Sequence, residues 1–309
     1  MTCVFCEAVL RIVTFHHESD ACVGFVLNDR TLFPLTGTPF AQLSVTDLLE
    51  MSVRGRQDIV DAVTAGSQAV SLPLDEVQLL PPLSRPGKII CLGLNYFDHA
   101  AESGHEKPEY PSFFLRTADS LIGAGQPIVR PACSEQLDYE AELAVIMGQR
   151  CRHAAPEEAL SYVGGYSCFN DGSIRDFQHK TSQWTIGKNF DATGAFGPVI
   201  VTADEMPPGA SGLKISTRLN GKILQQDNTA NMVFTVAEAI AMLSRCMTLF
   251  PGDVIAMGTP AGVGSARRPP IWMRHGDTVE VAIEGIGHLR NPICDEGERT
   301  GQVPGRTSA

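Results

Sequence analysis

The amino-acid sequence predicts a β-rich α+β protein, with a small N-terminal α+β domain followed by a larger β-rich domain. Three observations lead to this prediction. Short apolar segments recur along most of the 309-residue chain, polar or glycine-containing turns separate them, and only a few segments have helical spacing. A doubly wound parallel fold would instead alternate strands with helices, and the sequence lacks that alternation.

The N-terminal part is predicted to combine strands with helical structure. Residues 8–35 contain two or three short strands joined by polar turns. The segment SVTDLLEMSVRGRQDIVDAV, which begins at Ser44, then has helical spacing. Ser44 or Thr46 is a candidate N-cap, because a hydroxyl accepts a hydrogen bond from the free N–H groups of a first helical turn.

A proline-rich stretch at 71–87 is predicted to be an extended linker, so the two domains are placed at 1–80 and 81–296. Residues 297–309 are polar and are expected to form a disordered tail. Two later segments have helical spacing, at 156–163 and 235–246. The predicted strands of the larger domain are KIICLGL, SFFLR, LAVIMG, GPVIV, LKISTRLNG, DVIAMG and DTVEVAIEGIG.

Composition and charge exclude several functional classes. The chain is 43% hydrophobic and 19% charged, which is typical of a globular protein in water. Its formal net charge of -11 argues against nucleic acid as a partner, because phosphate binding needs a basic surface. No apolar run approaches the roughly 20 residues that a membrane span needs, and the N-terminal MTCVFCEAVLRIVTF is interpreted as a first strand rather than a signal peptide. We therefore expect a cytoplasmic protein with a small-molecule ligand.

The cysteines indicate a reducing compartment. Nine cysteines are too few and too scattered for a disulfide scaffold in a chain of this length. Cys3 and Cys6 form a CxxC pair, but a structural zinc site needs about four ligands and the sequence has no second CxxC. The pair is interpreted as incidental.

The stretch LDYEAELAV at 137–145 raises the first functional question. Asp138, Glu140 and Glu142 alternate with other residues, so on a β-strand the three carboxylates share one face. One interpretation is a half-exposed strand whose acids face water. The other is a site for a hard divalent cation such as Mg²⁺, which prefers carboxylate oxygens and would offset their repulsion. The strand alone leaves both interpretations open.

The segment NYFDHAAESG at 95–104 is a candidate for acid–base chemistry. His99 and Glu102 are three residues apart and would share one face of a helical turn. A carboxylate beside an imidazole orients it and raises its basicity, which suits a general base near neutral pH. On spacing alone, a surface turn with one histidine and one glutamate is the simpler interpretation.

Three later segments place polar residues at strand ends or in glycine-rich turns. Asp171 follows an apolar strand in GYSCFNDGSIRDFQ, with Arg175 and Gln178 shortly after it. Lys188 lies in WTIGKNFD, and Thr259 lies in the loop PGDVIAMGTPAGVG, whose N–H groups could bind an anion. Each signal is weak alone, since the loop matches neither the GxGxxG fingerprint nor a P-loop.

Together these motifs identify a family resemblance. From Lys88 to about Asp295 the chain resembles the fumarylacetoacetate hydrolase superfamily, and in particular its fumarylpyruvate and acylpyruvate hydrolase members. The resemblance implies a mixed β-sandwich or β-roll catalytic domain, a small variable N-terminal domain, and a homodimer. It rests on GLNYFDHAAE, LDYEAELAVIMG, YVGGYSCFNDGSIRDFQ, GKNFD, PGDVIAMGTPAGVG and GIGHLRNP, in this order.

The resemblance also implies a metal site. The family's ligand positions correspond here to Glu140, Glu142 and Asp171, and one Mg²⁺ or Mn²⁺ is expected per subunit. It therefore favours the metal interpretation of the acidic strand. Asp138 is not a ligand in the family pattern. Asn95 stands near the position of an additional aspartate ligand in the founding hydrolase, so water or substrate is expected to occupy that position.

The other candidates receive roles from the same resemblance. His99 and Glu102 correspond to the dyad that activates water in hydrolytic members, and Lys188 corresponds to a lysine that stabilises negative charge on the substrate. Arg116 stands where many relatives have lysine, so its role is left open. The substrate-contacting positions correspond to Arg175, Gln178 and Thr259.

The reaction that these groups suit is hydrolysis of a carbon–carbon bond in a 2,4-diketo acid, such as an acylpyruvate or the fumarylpyruvate formed in aromatic compound catabolism. The 2-oxo acid would chelate the cation, and the dyad would supply the attacking water. The same site also suits decarboxylation of oxaloacetate or isomerisation of a 2-hydroxymuconate-type dioate. A non-catalytic protein that binds small acids is a further alternative.

Overall fold

A computed structural model describes most of the chain, and the fold below is that of the described residues. The candidate dyad His99 and Glu102, the CxxC pair and the tail beyond residue 298 lie outside the described residues. The described ranges are 10–18, 20–28, 30–65, 70–97 and 109–298.

The N-terminal strands form an antiparallel meander, as predicted. They are β1 (Arg11–His17), β2 (Asp20–Leu27) and β3 (Thr31–Pro34), and polar turns join them. Two short strands follow within the proline-rich stretch, β4 (Leu72–Pro73) and β5 (Gln78–Leu79), which pair with β3 and β1. This stretch is therefore part of the sheet and not a free linker: β4 forms one edge, and β5 pairs with β1 within the sheet.

The predicted helical segment is divided into two helices, α1 (Val45–Glu50) and α2 (Val53–Thr64). Ser44 is the N-cap of α1 and forms a reciprocal capping box with Asp47. The division arises at Ser52, whose side chain accepts a hydrogen bond from the first turn of α2 and so begins a second helix.

The predicted strands of the larger domain are all present, together with several short strands and three long ones, β12, β16 and β19, that were not in the predicted set. In chain order they are β6 (Ile89–Gly93), β7 (Ser112–Arg116), β8 (Leu121–Ile122), β9 (Ile128–Arg130), β10 (Leu137–Asp138), β11 (Ala141–Met147), β12 (Val163–Asp171), β13 (Ser173–Ile174), β14 (Gly194–Thr202), β15 (Lys214–Leu219), β16 (Lys222–Asn228), β17 (Val254–Ala256), β18 (Thr278–Ile283) and β19 (Gly287–Asp295).

These strands form two main sheets. The larger is a mixed twelve-stranded sheet with the order β4-β3-β2-β1-β14-β12-β11-β17-β6-β7, in which β5 pairs with β1 and β8 with β14. The smaller has five strands in the order β16-β15-β18-β19-β9, and β10 and β13 form a separate pair. Because β1 pairs with β14, one sheet runs through both the N-terminal strands and the larger domain.

Both faces of the central strands β11 and β12 are buried, and most of their residues are apolar. On β11, Leu143 and Val145 belong to the core that includes the smaller sheet, whereas Ala144 and Ile146 belong to the core beneath α1 and α2. Glu142 shares the face of Ala144 and Ile146 because side chains alternate along a strand. The acidic positions of this strand are therefore inside the protein.

The remaining helices are short except for one. Those in the predicted segments are α3 (Pro156–Ala159), which continues as a 3₁₀ turn, and α6 (Val236–Cys246). Two four-residue helices were not predicted, α4 (Arg175–Gln178) and α5 (Thr185–Lys188). Within the described ranges, no helix has the length and apolar character needed to cross a membrane. The architecture confirms the predicted β-rich α+β class.

Candidate functional site

Three carboxylates meet where β11 and β12 lie side by side. Glu140 immediately precedes β11, Glu142 lies on it, and Asp171 ends β12. The Asp171 N–H donates to the Glu140 carbonyl oxygen at 2.9 Å, which places the two backbones in contact. One oxygen from each side chain lies within 4.8 Å of those of the other two. The structure thus brings together the three residues that the family pattern assigns to a metal.

Three basic side chains surround this cluster. Lys188 Nζ lies 2.7 Å from one Glu140 oxygen and 2.6 Å from one Asp171 oxygen. Arg175 Nη2 lies 2.7 Å from the other Glu140 oxygen, and Arg116 Nη1 donates to the other Asp171 oxygen. All three cations are at most 5% exposed, so these ion pairs are poorly screened by water. Glu140 and Asp171 are each held between two cations.

The two unpredicted helices position two of these cations. Arg175 begins α4 and Lys188 ends α5, and the helices pack closely because Gly187 has no side chain. A Cβ atom at Gly187 would lie 2.4 Å from the Gln178 nitrogen, which is closer than atoms can approach. The Gln178 side chain in turn accepts a hydrogen bond from Arg175 at 2.8 Å. Gly187 therefore permits the close packing that brings Lys188 to the carboxylates.

Arg116, whose role the sequence left open, anchors Asp171. Its guanidinium also donates to the Gly172 carbonyl oxygen at 3.1 Å and to Thr193 Oγ1 at 2.9 Å. A Cβ atom at Gly194 would lie 2.7 Å from Arg116 Nη2, so a glycine is needed for the guanidinium to fit. These contacts make Arg116 a buried support for one of the three clustered carboxylates.

Glu142 differs from Glu140 and Asp171 because it forms no ion pair with another described residue. Its carboxylate accepts the Gly258 N–H at 2.9 Å, and no cation among the described residues lies within ion-pair distance of it. Burial, together with the negative charges of Asp171 and Glu140, raises the pKa of Glu142 well above its ordinary value. A negative charge at this position is therefore costly in the protein alone.

At Lys188 the neighbouring charges favour the ionised form of the side chain. Burial lowers its pKa, but the charges of Asp171 and Glu140 outweigh burial and raise the pKa above the ordinary value. The ammonium group therefore remains protonated at neutral pH and supplies a fixed positive charge at the cluster.

The donor set suits a hard divalent cation. All three candidate ligands are carboxylates, whose oxygens are preferred by Mg²⁺ and Mn²⁺. Among the described residues, four buried carboxylates, counting Asp138, face three buried cations, so full ionisation of the four acids would leave one negative charge without a compensating cation. The raised pKa of Glu142 indicates that this extra negative charge would fall on Glu142. A bound divalent cation would compensate it. The observed residues therefore fit a divalent metal.

We expect the metal-free protein to lose stability as pH rises above 4.5, the ordinary pKa of a glutamate. Between 4.5 and its raised pKa, folded Glu142 keeps its proton, whereas the unfolded chain releases it. The unfolded state then binds fewer protons, so the free energy of unfolding falls with pH, by at most about 1.4 kcal/mol per pH unit for this group. Urea denaturation of EDTA-treated protein from pH 5 to 8 measures the slope. Glu142→Gln should flatten it, and equal slopes in both proteins would contradict the assignment.

The ligand strand is interrupted where the site forms. Between β10 and β11 two successive backbone N–H groups bond to side-chain amides instead of a neighbouring strand. The Glu140 N–H donates to Asn170 Oδ1 at 2.9 Å, and the Ala141 N–H donates to Gln225 Oε1 at 3.0 Å. Neither Asn170 nor Gln225 was identified from the sequence, because amide side chains on separate strands form no recognisable spacing.

Asp138 supports the loop after β17 and is not one of the clustered ligands. Its two oxygens accept the backbone N–H groups of Gly264 and Ser265 at 2.7 and 2.9 Å. One of them also accepts the Arg175 Nε–H at 2.8 Å. Asp138, Glu140 and Glu142 are all buried, at 0%, 4% and 1% exposure, so the interpretation of this strand as a solvated edge is wrong.

Asn95 and Thr259 lie in the backbone network beside the cluster. The Asn95 amide donates to the carbonyl oxygens of Phe234 and Met257, and its oxygen accepts the Phe234 N–H. Thr259 Oγ1 accepts a hydrogen bond from Gln225 Nε2 at 2.8 Å. Asn95 therefore holds two chain segments together, and Thr259 lies one residue beyond the N–H that binds Glu142.

The fold and the site define a class of protein, a β-rich α+β protein with a buried acidic centre suited to a divalent cation. Residues 88–294 match the family model described as Fumarylacetoacetate (FAA) hydrolase C-terminal, and residues 10–82 match the model described as Rv2993c-like, N-terminal. The chain belongs to the fumarylacetoacetate hydrolase family, which confirms the resemblance carried by the motifs.

Relatives and solved structures in this family carry different reaction names. The mitochondrial oxaloacetate tautomerase FAHD2A of Homo sapiens is 39% identical over 229 residues, which cover 74% of this chain and 73% of that protein. A fumarylacetoacetate hydrolase from Exiguobacterium antarcticum is 36% identical with a TM-score of 0.79, covering 93% of this chain and 100% of that one. A 2-hydroxyhepta-2,4-diene-1,7-dioate isomerase from Mycobacterium marinum is 30% identical with a TM-score of 0.73, covering 94% and 100%.

Proposed function

We propose that this protein is a divalent-metal-dependent enzyme that binds a 2-oxo acid and stabilises its enolate form. The observation that carries the proposal is the buried cluster of Glu140, Glu142 and Asp171, with Lys188 Nζ in contact with two of them. The three carboxylates would hold Mg²⁺ or Mn²⁺. When bound, the cation supplies Lewis acidity and a template for the adjacent carboxylate and keto oxygens of the substrate.

The side chains around the cluster have complementary tasks in this proposal. Lys188, which stays protonated, would donate to an oxygen on which negative charge develops. Arg175 and Arg116 hold Glu140 and Asp171 in place, so that the ligand oxygens do not need to reorganise when substrate binds. Arg175 already contacts protein groups through all three of its nitrogen atoms, which supports a positioning role for it.

Among the reactions open to an enolate site, we propose hydrolysis of a 2,4-diketo acid of the acylpyruvate or fumarylpyruvate type. His99, oriented by Glu102, would remove a proton from a water molecule that attacks the distal carbonyl carbon. Breaking the adjacent carbon–carbon bond would release a carboxylic acid and the enolate of a 2-oxo acid. Protonation of that enolate on carbon then completes the reaction, so one water is consumed per substrate.

A second candidate is interconversion of keto and enol forms or of double-bond isomers. It is favoured by the 39% identity to a protein named oxaloacetate tautomerase and by the likeness to a structure named as an isomerase. This reaction needs proton transfer at the enolate but no attacking water, so it depends less on the His99–Glu102 dyad. Decarboxylation of oxaloacetate passes through the same enolate and remains a third outcome for the experiment.

A substrate panel separates these reactions. The protein loaded with Mg²⁺ or Mn²⁺ is incubated with acetylpyruvate, with oxaloacetate prepared in its enol form, and with a 2-hydroxymuconate, and the products are followed by ultraviolet absorbance and NMR. We expect acetate and pyruvate from acetylpyruvate. Faster loss of the oxaloacetate enol band without CO₂ would favour the tautomerase, and a changed double-bond position in the muconate would favour the isomerase.

The controls are EDTA-treated protein and the free cation without protein, because divalent ions alone promote enolisation and decarboxylation. Activity that survives complete removal of the metal would overturn the proposed metal dependence. Binding of these acids without any turnover would favour the non-catalytic alternative.

A further inference from the structure

We propose that Gln225 is a positioning residue that makes the buried Thr259 hydroxyl a hydrogen-bond donor toward an oxygen of the ligand bound at the carboxylate cluster. Gln225 lies on β16 of the smaller sheet and is 1% exposed. The inference rests on the proposed function, since it concerns the ligand that the metal centre would hold. It assigns a role to a residue that neither the motifs nor the carboxylate cluster includes.

The orientation of the Gln225 amide is determined by two backbone groups. Its oxygen lies 3.0 Å from the Ala141 nitrogen, which can only donate, and its nitrogen lies 2.7 Å from the Pro260 carbonyl oxygen, which can only accept. Exchanging the amide oxygen and nitrogen would place donor against donor and acceptor against acceptor. Oε1 must therefore face Ala141, and Nε2 must face Pro260.

This orientation determines the direction of the Thr259 hydroxyl. The second Nε2 hydrogen points to Thr259 Oγ1 at 2.8 Å, so the hydroxyl oxygen serves as acceptor in this contact. The oxygen Oε1 is already used by the Ala141 N–H and by Thr217 Oγ1 at 2.6 Å, so it is not available to Thr259. The Thr259 hydrogen is left to donate elsewhere.

That remaining donor lies inside the site. Thr259 is 3% exposed, and the described residues provide no recorded acceptor for its hydroxyl hydrogen. The preceding residue, Gly258, donates its N–H to Glu142 at 2.9 Å, so Thr259 follows directly in the chain after a residue that binds a candidate metal ligand. A buried donor without an acceptor is unfavourable in the protein alone, and an anionic ligand that supplies the acceptor removes this cost. A carboxylate or enolate oxygen meets this requirement.

The Gln225 amide also connects the chain segment that carries Glu140 and Glu142 to the loop that carries Thr259. Ala141 separates the candidate ligands Glu140 and Glu142, and the Gln225 side chain joins this point of the ligand strand to the loop that carries Thr259. Because Gln225 uses two donors and two acceptor positions, no other residue type of similar shape reproduces all four contacts. A glutamate keeps the acceptor toward Ala141 but has at most one hydrogen for Thr259 and Pro260 together.

The test uses oxalate, a planar mimic of a 2-oxo acid enolate, as the probe. Isothermal titration calorimetry at pH 8.5 gives the Kd of the metal-free protein for Mn²⁺ and the Kd of the Mn²⁺-loaded protein for oxalate. Gln225→Glu should weaken oxalate binding by about 10- to 100-fold, the effect of one lost hydrogen bond to a charged group, because the carboxylate recruits the Thr259 hydrogen. Mn²⁺ binding should change much less, since Ala141 keeps its acceptor.

The double variant separates the hydroxyl from the added charge. Thr259→Val alone should weaken oxalate binding by a similar factor, and combining it with Gln225→Glu should give much less than the product of the two losses. Gln226→Glu is the matched control, because Gln226 is the exposed neighbour on the same strand, and it should bind oxalate as the wild type does.

Independent, multiplicative effects of the two substitutions would overturn the inference, as would a Gln225→Glu protein with unchanged oxalate affinity. If Gln225→Glu does not fold, Thr259→Val still decides, because unchanged oxalate binding by that variant would exclude the proposed donor. A wild-type protein that binds neither Mn²⁺ nor oxalate would overturn the proposed function together with this inference.

Discussion

Replacement of Glu142 by glutamine is expected to abolish metal-dependent activity and to stabilise the metal-free protein. Activity should fall by roughly 10²- to 10⁴-fold, because the several kcal/mol that a cation contributes to charge stabilisation would be lost. Stability should rise because Glu142 is a buried carboxyl group with a raised pKa and forms no ion pair within the described part of the chain. A glutamine still accepts the Gly258 N–H and occupies a similar volume.

The matched variant is Asp171→Asn, which should have the same effect on activity and the opposite effect on stability. Asp171 is paired with both Arg116 and Lys188, and all three side chains are at most 2% exposed. Neutralising it leaves two buried cations with less compensation, and breaking a buried ion pair from one side typically costs about 3–5 kcal/mol. One cluster of acids therefore predicts two opposite changes in the unfolding temperature.

Thermal unfolding in EDTA measures the stability of the metal-free variants, and titration with Mn²⁺ measures their affinity for the metal. The unfolding midpoint of Glu142→Gln should rise by about 2 °C or more, which corresponds to ~1 kcal/mol in a large domain, and that of Asp171→Asn should fall. Neither variant should show the rise in midpoint that Mn²⁺ produces in the wild type. Wild-type Mn²⁺ affinity in Glu142→Gln, or equal destabilisation by both substitutions, would contradict the assignment of the excess charge to Glu142.

Replacement of His99 by alanine is expected to lower kcat for diketo-acid hydrolysis by about 10²- to 10⁴-fold, the usual span for a lost general base. Hydrolysis needs an activated water, whereas tautomerisation and decarboxylation need mainly the enolate-stabilising cation. Substrate binding should change little, because the cation would hold the 2-oxo acid. The Mn²⁺ Kd should also stay unchanged, since the candidate ligands are Glu140, Glu142 and Asp171.

Glu102→Gln should lower kcat less than His99→Ala does, and it should change the pH dependence of the rate. Without an anionic partner the pKa of the His99 imidazole should fall, so the acidic limb of the pH–rate profile should move to lower pH. Full hydrolysis of acetylpyruvate by His99→Ala would show that water is activated elsewhere. If the variant loses hydrolysis but keeps turnover of oxaloacetate, the protein performs the enolate reaction and His99 is specific to the hydrolytic step.

Local features of this protein were readable from the sequence because they depend on neighbours along the chain. The N-cap of α1, for which the sequence offered Ser44 or Thr46, depends on a side chain that bonds within one turn, and the helix predicted at 235–246 follows from its apolar spacing. The strands follow from short apolar runs, and the motif order was sufficient to identify the family. The same local reading did not detect α4 and α5, because four-residue helices have too few positions to show a periodicity.

The acidic strand marks the limit of what sequence alone could determine. Alternation placed Asp138, Glu140 and Glu142 on one face, but it left open whether that face met water or protein. Exposure is decided by what covers a strand, and here a second sheet and the helices α1 and α2 bury both faces. Only the tertiary structure or a known family pattern could therefore decide between a solvated edge and a buried acidic centre.

By itself the sequence determined the fold class and the family resemblance, and that resemblance grouped the three acids Glu140, Glu142 and Asp171. Only the tertiary structure decided the partners of those acids, because the partners come from distant parts of the chain. Arg116 reaches Asp171 across 55 residues, and Gln225 reaches Ala141 across 84. Amides and guanidinium groups bond wherever geometry permits, so their pairing leaves no spacing in the sequence. The raised pKa of Glu142, which follows from its burial beside two other carboxylates, became visible only in the folded protein.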